Sequence, residues 1–190
     1  ETEDLEEIRE WDREILDGAR QLEGYLAVLQ ETLRERDEGQ DKEEGEETFD
    51  GCGFVRELEE KARALGRAGQ VEVSCNLPEK DVTIRGRSGI REELMRAAQN
   101  VISNGVDYCP PGTCLRITAE TIRHRQEEFW QITVTDSGPG FTGEVLLHGT
   151  EQFYQGDKSR TGADHYGMGL YIARTILEEA GGYLRLENAP

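Results

Sequence analysis

Three short groups of residues in this chain carry side chains and spacings suited to chemistry: Asn100 with Asn104, the run Asp136-Ser-Gly-Pro-Gly-Phe141, and Gly167-Met-Gly169. Asparagine is a poor helix former, so two of them one helical turn apart invite an explanation. Their amide oxygens would suit a hydrated Mg²⁺ beside phosphates, because magnesium takes few protein oxygens and keeps water. A solvated helix face explains them equally well. Asp136 ends an apolar strand, where a carboxylate can accept a hydrogen bond from an exocyclic amine such as that of adenine. Gly138 and Gly140 remove side chains so that the backbone comes close to a ligand, although such a run is also an ordinary strand-to-turn corner. Gly167 and Gly169 precede a helical run, and free amides at a helix start suit phosphate oxygens. Each group alone is weak. In this order they read as an adenine-nucleotide pocket.

Between the second and third groups lies Phe153-Tyr-Gln-Gly-Asp-Lys158-Ser-Arg160. Aromatic and basic residues in a polar, glycine-bearing segment suggest a mobile lid with Phe153 as its apolar latch. Lys158 and Arg160 are placed to contact phosphates, with solvated surface charge as the alternative. The pattern is neither G-x-x-x-x-G-K-[ST] nor a dinucleotide fingerprint.

These groups need elements to hold them. Helical spacing over 91–108 puts Leu94, Ala97, Ala98, Val101 and Gly105 in a core stripe. Asn100, Asn104 and Asp107 or Tyr108 fall on an adjacent face. Residues 115–123 and 129–136 alternate like paired strands, and 71–77, 81–85 and 183–187 read as further strands. Helices are expected over 54–68 and 167–180, while 142–166 has no clear period. The fold class is α+β, a two-layer α/β sandwich with a mixed sheet backed by helices on one face.

Ahead of this lies one long amphipathic helix. Ile8, Ile15, Ala19, Leu22, Leu26, Leu29 and Leu33 follow a coiled-coil or bundle seam that only Asp12 interrupts. Such a stripe needs a partner, and dimerisation is the natural one. The expected organisation is a partial dimerisation helix over 1–37, a mobile acidic linker over 38–50, and a globular domain over 51–190.

Of the net charge of −18, residues 1–50 hold −14 (20 acidic, 6 basic) and residues 51–190 hold −4 (20 acidic, 16 basic). That acidity argues against a nucleic-acid partner. Cys52, Cys75, Cys109 and Cys114 form no C-x-x-C pair and read as reduced thiols. With His124, His148 and His165 scattered, a metal site built from protein ligands alone is not expected. No apolar run is long enough to span a bilayer. The chain opens on Glu1, so a cytoplasmic piece of a longer protein is expected, with any membrane anchor outside it.

Asn100-Val-Ile-Ser-Asn104, Asp136-Ser-Gly-Pro-Gly140, Phe153-Tyr-Gln-Gly-Asp-Lys-Ser-Arg160 and Tyr166-Gly-Met-Gly-Leu170 resemble, in order, the N, G1, F and G2 boxes of sensor histidine kinases. The resemblance covers about residues 54–190, and the heptad helix looks like the second helix of that family's dimerisation domain. It implies the Bergerat ATP-binding fold and phosphoryl transfer from ATP to a histidine, for relay to a cognate response regulator from a homodimer. It also implies that Asn104 ligates Mg²⁺, that Asn100 sits beside the phosphates, and that Tyr108 packs near the adenine. Asp136 would recognise the amino group, Gly138 and Gly140 would admit the base, and Gly167, Gly169 and Leu170 would belong to the phosphate wrap under a lid bearing Phe153, Lys158 and Arg160.

Four features depart from the family pattern. Asp107 stands where Lys or Arg is usual, Gln155 where an Arg commonly follows the Phe-Tyr pair, and His165 where a first glycine is usual. The family also adds a strand beyond the position of Pro190. No histidine precedes His124, so the acceptor is expected outside the chain. Hydrolases of the same fold use a glutamate at the position of Asn100, and an amide cannot serve as general base. Anti-sigma-factor serine kinases lack such a preceding helix. A degenerate, non-catalytic module that binds nucleotide weakly or not at all and signals through dimer geometry is the remaining alternative.

Overall fold

The computed structural model describes residues 45–77, 81–124, 126–154 and 167–189. The heptad helix expected over 5–36 lies outside them. Strand β1 (Glu46–Asp50) leads directly into helix α1 (Gly51–Gly69). Strands β2 (Glu72–Asn76) and β3 (Thr83–Arg87) follow, then helix α2 (Ile90–Tyr108), strands β4 (Cys114–His124) and β5 (Glu127–Thr135), the short helix α3 (Gly143–His148) and helix α4 (Gly169–Glu179).

The main sheet is mixed and has the order β2-β4-β5. β2 lies parallel to β4, with Glu72 opposite Cys114, and β4 runs antiparallel to β5, with Ile117 opposite Val134. Its inner face is legible in the alternation along β4: Leu115, Ile117 and Ala119 are buried, whereas Arg116 and Glu120 are exposed. One apolar and one solvated face is the signature of a sheet covered by helices on a single side. Leu58 and Ala62 of α1 and Ile102 and Val106 of α2 close that face. Full burial of a side chain such as Leu58, Ile102 or Leu115 contributes roughly 1.5–3 kcal/mol. Helix α4 packs outside α2, with Ala173 and Ile176 against Ala97.

Two elements differ from expectation. Residues 46–50, assigned by composition to a mobile acidic linker, form β1 and pair antiparallel with β3. The pairing sets acidic Glu46 opposite Arg87, and it buries Phe49 in an aromatic cluster with Phe54 and Trp130, at centroid distances of 5.5 Å each. One apolar side chain in an acidic run thus anchors it, which charge counting alone does not register. Conversely, residues 183–187 form no strand. Their side chains alternate, with Leu184 and Leu186 half-buried between exposed neighbours, but among the described residues no backbone ladder engages them. The stretch without a clear period contains α3, a single turn and a half started by Thr142, whose Oγ1 accepts from the Val145 N–H.

Helix α1 begins before the first apolar residue of its stripe because Asp50 caps it. Its carboxylate accepts from the amides of Cys52 (2.9 Å) and Gly53 (2.7 Å). Gln70 adopts the left-handed conformation at the other end, and Val71 donates back to Gly66 at 2.8 Å. Asp50 thus ends β1 and starts α1 in one residue. Asp50→Ala is expected to lower the unfolding free energy by about 1 kcal/mol in urea titrations. An unchanged midpoint would show that the cap contributes nothing.

Candidate functional site

Helix α2 is the backbone of the site. Its apolar stripe seats it on the sheet, and Gly105 sets how close it comes. A side chain there would stand 2.7 Å from Leu115 Cδ1 and 3.8 Å from Asp136 Cβ. The close approach brings the helix against the end of β5, from which Asp136 emerges. Asn100, Asn104 and Tyr108 are all half-buried, spaced four apart along the helix. Among the described residues, neither asparagine amide has a hydrogen-bond partner.

The glycine run abuts the end of this helix. Asp136 Oδ1 accepts from the Gly138 N–H at 2.8 Å, which orients the carboxylate. A side chain on Gly138 would meet that oxygen at 2.7 Å and the Tyr108 carbonyl oxygen at 2.8 Å, so only glycine fits between them. Ser137 Oγ donates to the Cys114 carbonyl at 2.9 Å, tying the loop to the start of β4. Gly140 adopts φ +78° and faces Asn188, whose side-chain amide bonds the backbone of Phe141.

The third group closes the other end. The start of α4 faces α2, so that a side chain on Gly169 would lie 3.6 Å from Asn100 Oδ1. Gly167 (φ +67°) is pressed against Phe153 and Tyr154, and a side chain there would meet the Tyr154 carbonyl oxygen at 2.5 Å. Both the left-handed backbone and the contact demand glycine. Phe153 itself has φ +63° and is exposed, while Leu170 is half-buried in the first turn of α4. Lys158 and Arg160 lie outside the described residues. Of the twelve site residues expected from sequence, the ten described ones thus lie on four neighbouring segments. Asn100 meets the third group, and Tyr108 meets the second.

Sequence reading missed three residues around this arrangement. His148, at the end of α3, pairs with Glu151 at 2.8 Å and stacks near Tyr154 at 6.2 Å. Arg174 on α4 donates to Thr150 Oγ1 at 3.2 Å and covers the Tyr171 ring. Asn188 reaches across 47 positions to Phe141. None belongs to a local motif, and each acts on a chain segment far from it or on an irregular one. Elsewhere, ligand atoms of Asp50, Cys52 and Asp81 come within 4.8 Å of one another, but the Asp50 carboxylate is engaged as the α1 cap. No helix among the described residues is long and apolar enough to cross a membrane.

Residues 89–190 match the family model described as histidine kinase-, DNA gyrase B-, and HSP90-like ATPase. Sensor histidine kinase SpaK of Bacillus subtilis is 40% identical over 95 residues, which is 50% of this chain and 20% of that protein. Sensor-like histidine kinase SenX3 of Mycobacterium tuberculosis is 27% identical over 188 residues, covering 98% of this chain and 43% of that protein. The chain therefore spans from a fifth to somewhat over two fifths of these relatives' lengths. Among solved structures, the catalytic domain of histidine kinase ThkA superposes with a TM-score of 0.60 at 20% identity, covering 77% of this chain and 89% of that one. At that identity the likeness concerns the fold.

Two outcomes test the geometry without any ligand. Gly138→Ala must displace the Tyr108 carbonyl or the loop, and is expected to lower the unfolding free energy by about 1–3 kcal/mol. An unperturbed melting temperature would show that the loop yields freely. His148 is held above the ordinary imidazole range by its hydrogen bond to Glu151, then by the charges of Glu151 and Glu144. A raised value means the pairing is present in full below the ordinary imidazole pKa and is lost as pH rises through the elevated one. In an NMR titration His148 should titrate above the usual imidazole midpoint, and Glu151→Gln should return it. Coincident curves would remove the pair.

Proposed function

The chain belongs to the histidine kinase-, DNA gyrase B-, and HSP90-like ATPase family and carries a sensor-histidine-kinase catalytic ATPase domain, and from that premise we propose that it binds Mg²⁺-ATP and donates the γ-phosphoryl group to a histidine outside these residues. The full protein would relay that group to a cognate response regulator, working as a homodimer through the helical region of residues 1–37, with the acidic stretch ahead of β1 as the connection and the unit that begins with β1 as the catalytic one. The observation that supports this most is the meeting of the three groups. Asn100 faces Gly169 midway along α2, while Tyr108 abuts Gly138 at its C-terminal end, beside the Asp136 carboxylate.

The residues present fit the ligand. Two asparagine amides a turn apart, unused by the protein among the described residues, offer the few hard oxygens that Mg²⁺ prefers. ATP supplies the phosphoryl group, with Mg²⁺ balancing its charge. Asp136 already accepts from Gly138 through Oδ1, which leaves Oδ2 to accept from an exocyclic amine. Asn104 would ligate the metal, and Asn100 would stand beside the phosphates. The amides at Gly167, Gly169 and Leu170 would take phosphate oxygens, Tyr108 would pack beside the base, and Phe153, Lys158 and Arg160 would close over the site. Catalysis by this set rests on positioning and charge neutralisation. With an amide at Asn100 there is no general base at that place to activate water, which favours transfer to a protein acceptor over hydrolysis.

Asp107 and Gln155 favour a second reading, a non-catalytic module that binds nucleotide weakly or not at all and signals by dimer geometry. Each substitutes for a cation that the family commonly carries. A labelled-phosphate assay with the histidine-bearing helix supplied separates the two readings, since a labelled histidine excludes the degenerate module. Binding comes first. Calorimetry should show Mg²⁺-dependent binding of a non-hydrolysable ATP analogue, weakened at least about tenfold by Asp136→Ala, the size expected for losing a charged hydrogen bond. Wild-type protein that takes up no nucleotide would remove the proposal.

A further inference from the structure

We propose that Asn188 is a positioning residue for nucleotide binding, clasping the backbone of Phe141 so that the glycine loop Asp136–Gly140 is held ready for the base. The inference rests on the proposed role of that loop in nucleotide recognition. Its observations are independent of that role.

The Phe141 N–H donates to Asn188 Oδ1 at 2.7 Å, and Asn188 Nδ2 donates to the Phe141 carbonyl at 2.9 Å. A carboxamide that both accepts from and donates to one residue's backbone imitates the exchange between two paired strands. The loop has few other ties. Gly138 bonds Asp136 and Ser137 bonds Cys114, but Pro139 has no N–H to offer. Among the described residues, the Asn188 amide is the one hydrogen-bonded tether between Gly138 and Thr142. It also constrains Gly140, since a side chain there would stand 2.9 Å from Asn188 Oδ1 at φ +78°. The loop therefore needs glycine at 140 for backbone conformation and for room beneath the clasp.

Residues 184–188 hold a second point as well. Leu186 Cδ1 would lie 3.3 Å from a side chain on Gly149, just past α3. Asn188 and Leu186 thus contact the two flanks of α3, at Phe141 and Gly149. This explains how residues that join no sheet are still placed, and why their inward–outward alternation persists without a ladder. A loop tethered before binding has less freedom to lose on binding, so its tether raises affinity without touching the ligand.

Asn188 is exposed and Phe141, only half-buried, belongs to neither core cluster, so removal of the clasp should leave the fold intact. In the nucleotide-free protein, Asn188→Ala should accelerate hydrogen exchange at the Phe141 amide while the melting temperature stays at the wild-type value. The same variant should raise the Kd for a Mg²⁺-ATP analogue by roughly five- to tenfold, because ordering the loop then falls on the binding step. Asn188→Asp keeps the acceptor and loses the donor, so it should protect the Phe141 amide and give an intermediate Kd. Unchanged exchange in Asn188→Ala would overturn the clasp. Faster exchange with an unchanged Kd would overturn its positioning role, as would an affinity loss that merely follows a lowered melting temperature. Failure of the wild type to bind nucleotide, with Phe141 still protected, would instead overturn the functional reading on which this inference rests.

Discussion

The close seating of helix α2 on the sheet is the contact on which the rest of the site depends. At Gly105 the helix axis approaches β4 and β5 as nearly as a residue without a side chain allows, with Leu115 filling the space a methyl would take. Moving the helix outward by the width of a side chain would separate Tyr108 from Gly138 and Asp136. It would also shift Asn100 relative to α4, because α4 packs on the outer side of the same helix through Ala97, Ala173 and Ile176. One helix therefore sets both ends of the site. Its position comes from apolar burial on its inner face, which is rigid because protein interiors are close-packed.

Charge plays a lesser part in that positioning. The pair Glu57–Arg91 links α1 to α2, and Arg87–Glu93 links β3 to the first turn of α2. Each depresses or raises its partners in the direction expected: Glu57 is held low by Arg91, and Arg87 is held high by Glu93. All these side chains remain substantially exposed, and such pairs contribute about 0–1 kcal/mol each. They orient elements that the apolar core has already brought together. The aromatic cluster of Phe49, Phe54 and Trp130 carries more, although the Trp130 Nε1 is buried without a partner among the described residues, which costs part of the gain.

The helices α1, α2 and α4 and the hairpin β4–β5 were legible because their apolar residues repeat at the period of the element and are bounded by caps and glycines. The candidate site residues were legible for a different reason. Each group sits at an element boundary where its type is poorly explained by local structure: asparagines inside a helix, a carboxylate at a strand end, glycines before a helix. β1 was not legible, since one phenylalanine in an acidic run has no period. The strand expected over residues 183–187 is absent because alternation reports which way side chains turn, and says nothing of whether a neighbouring backbone is there to pair with.

From the sequence alone came the three long helices, the strands β2 to β5, the α+β class and the three residue groups with the chemistry each suits, all of which follow from local periodicity and side-chain identity. Tertiary structure alone decided that Asn100 faces Gly169, that Tyr108 meets Gly138, and that Asn188 closes on Phe141. Those contacts join residues 30 to 69 positions apart, and their geometry is set by how closely helices seat on the sheet, a packing distance that no local pattern encodes.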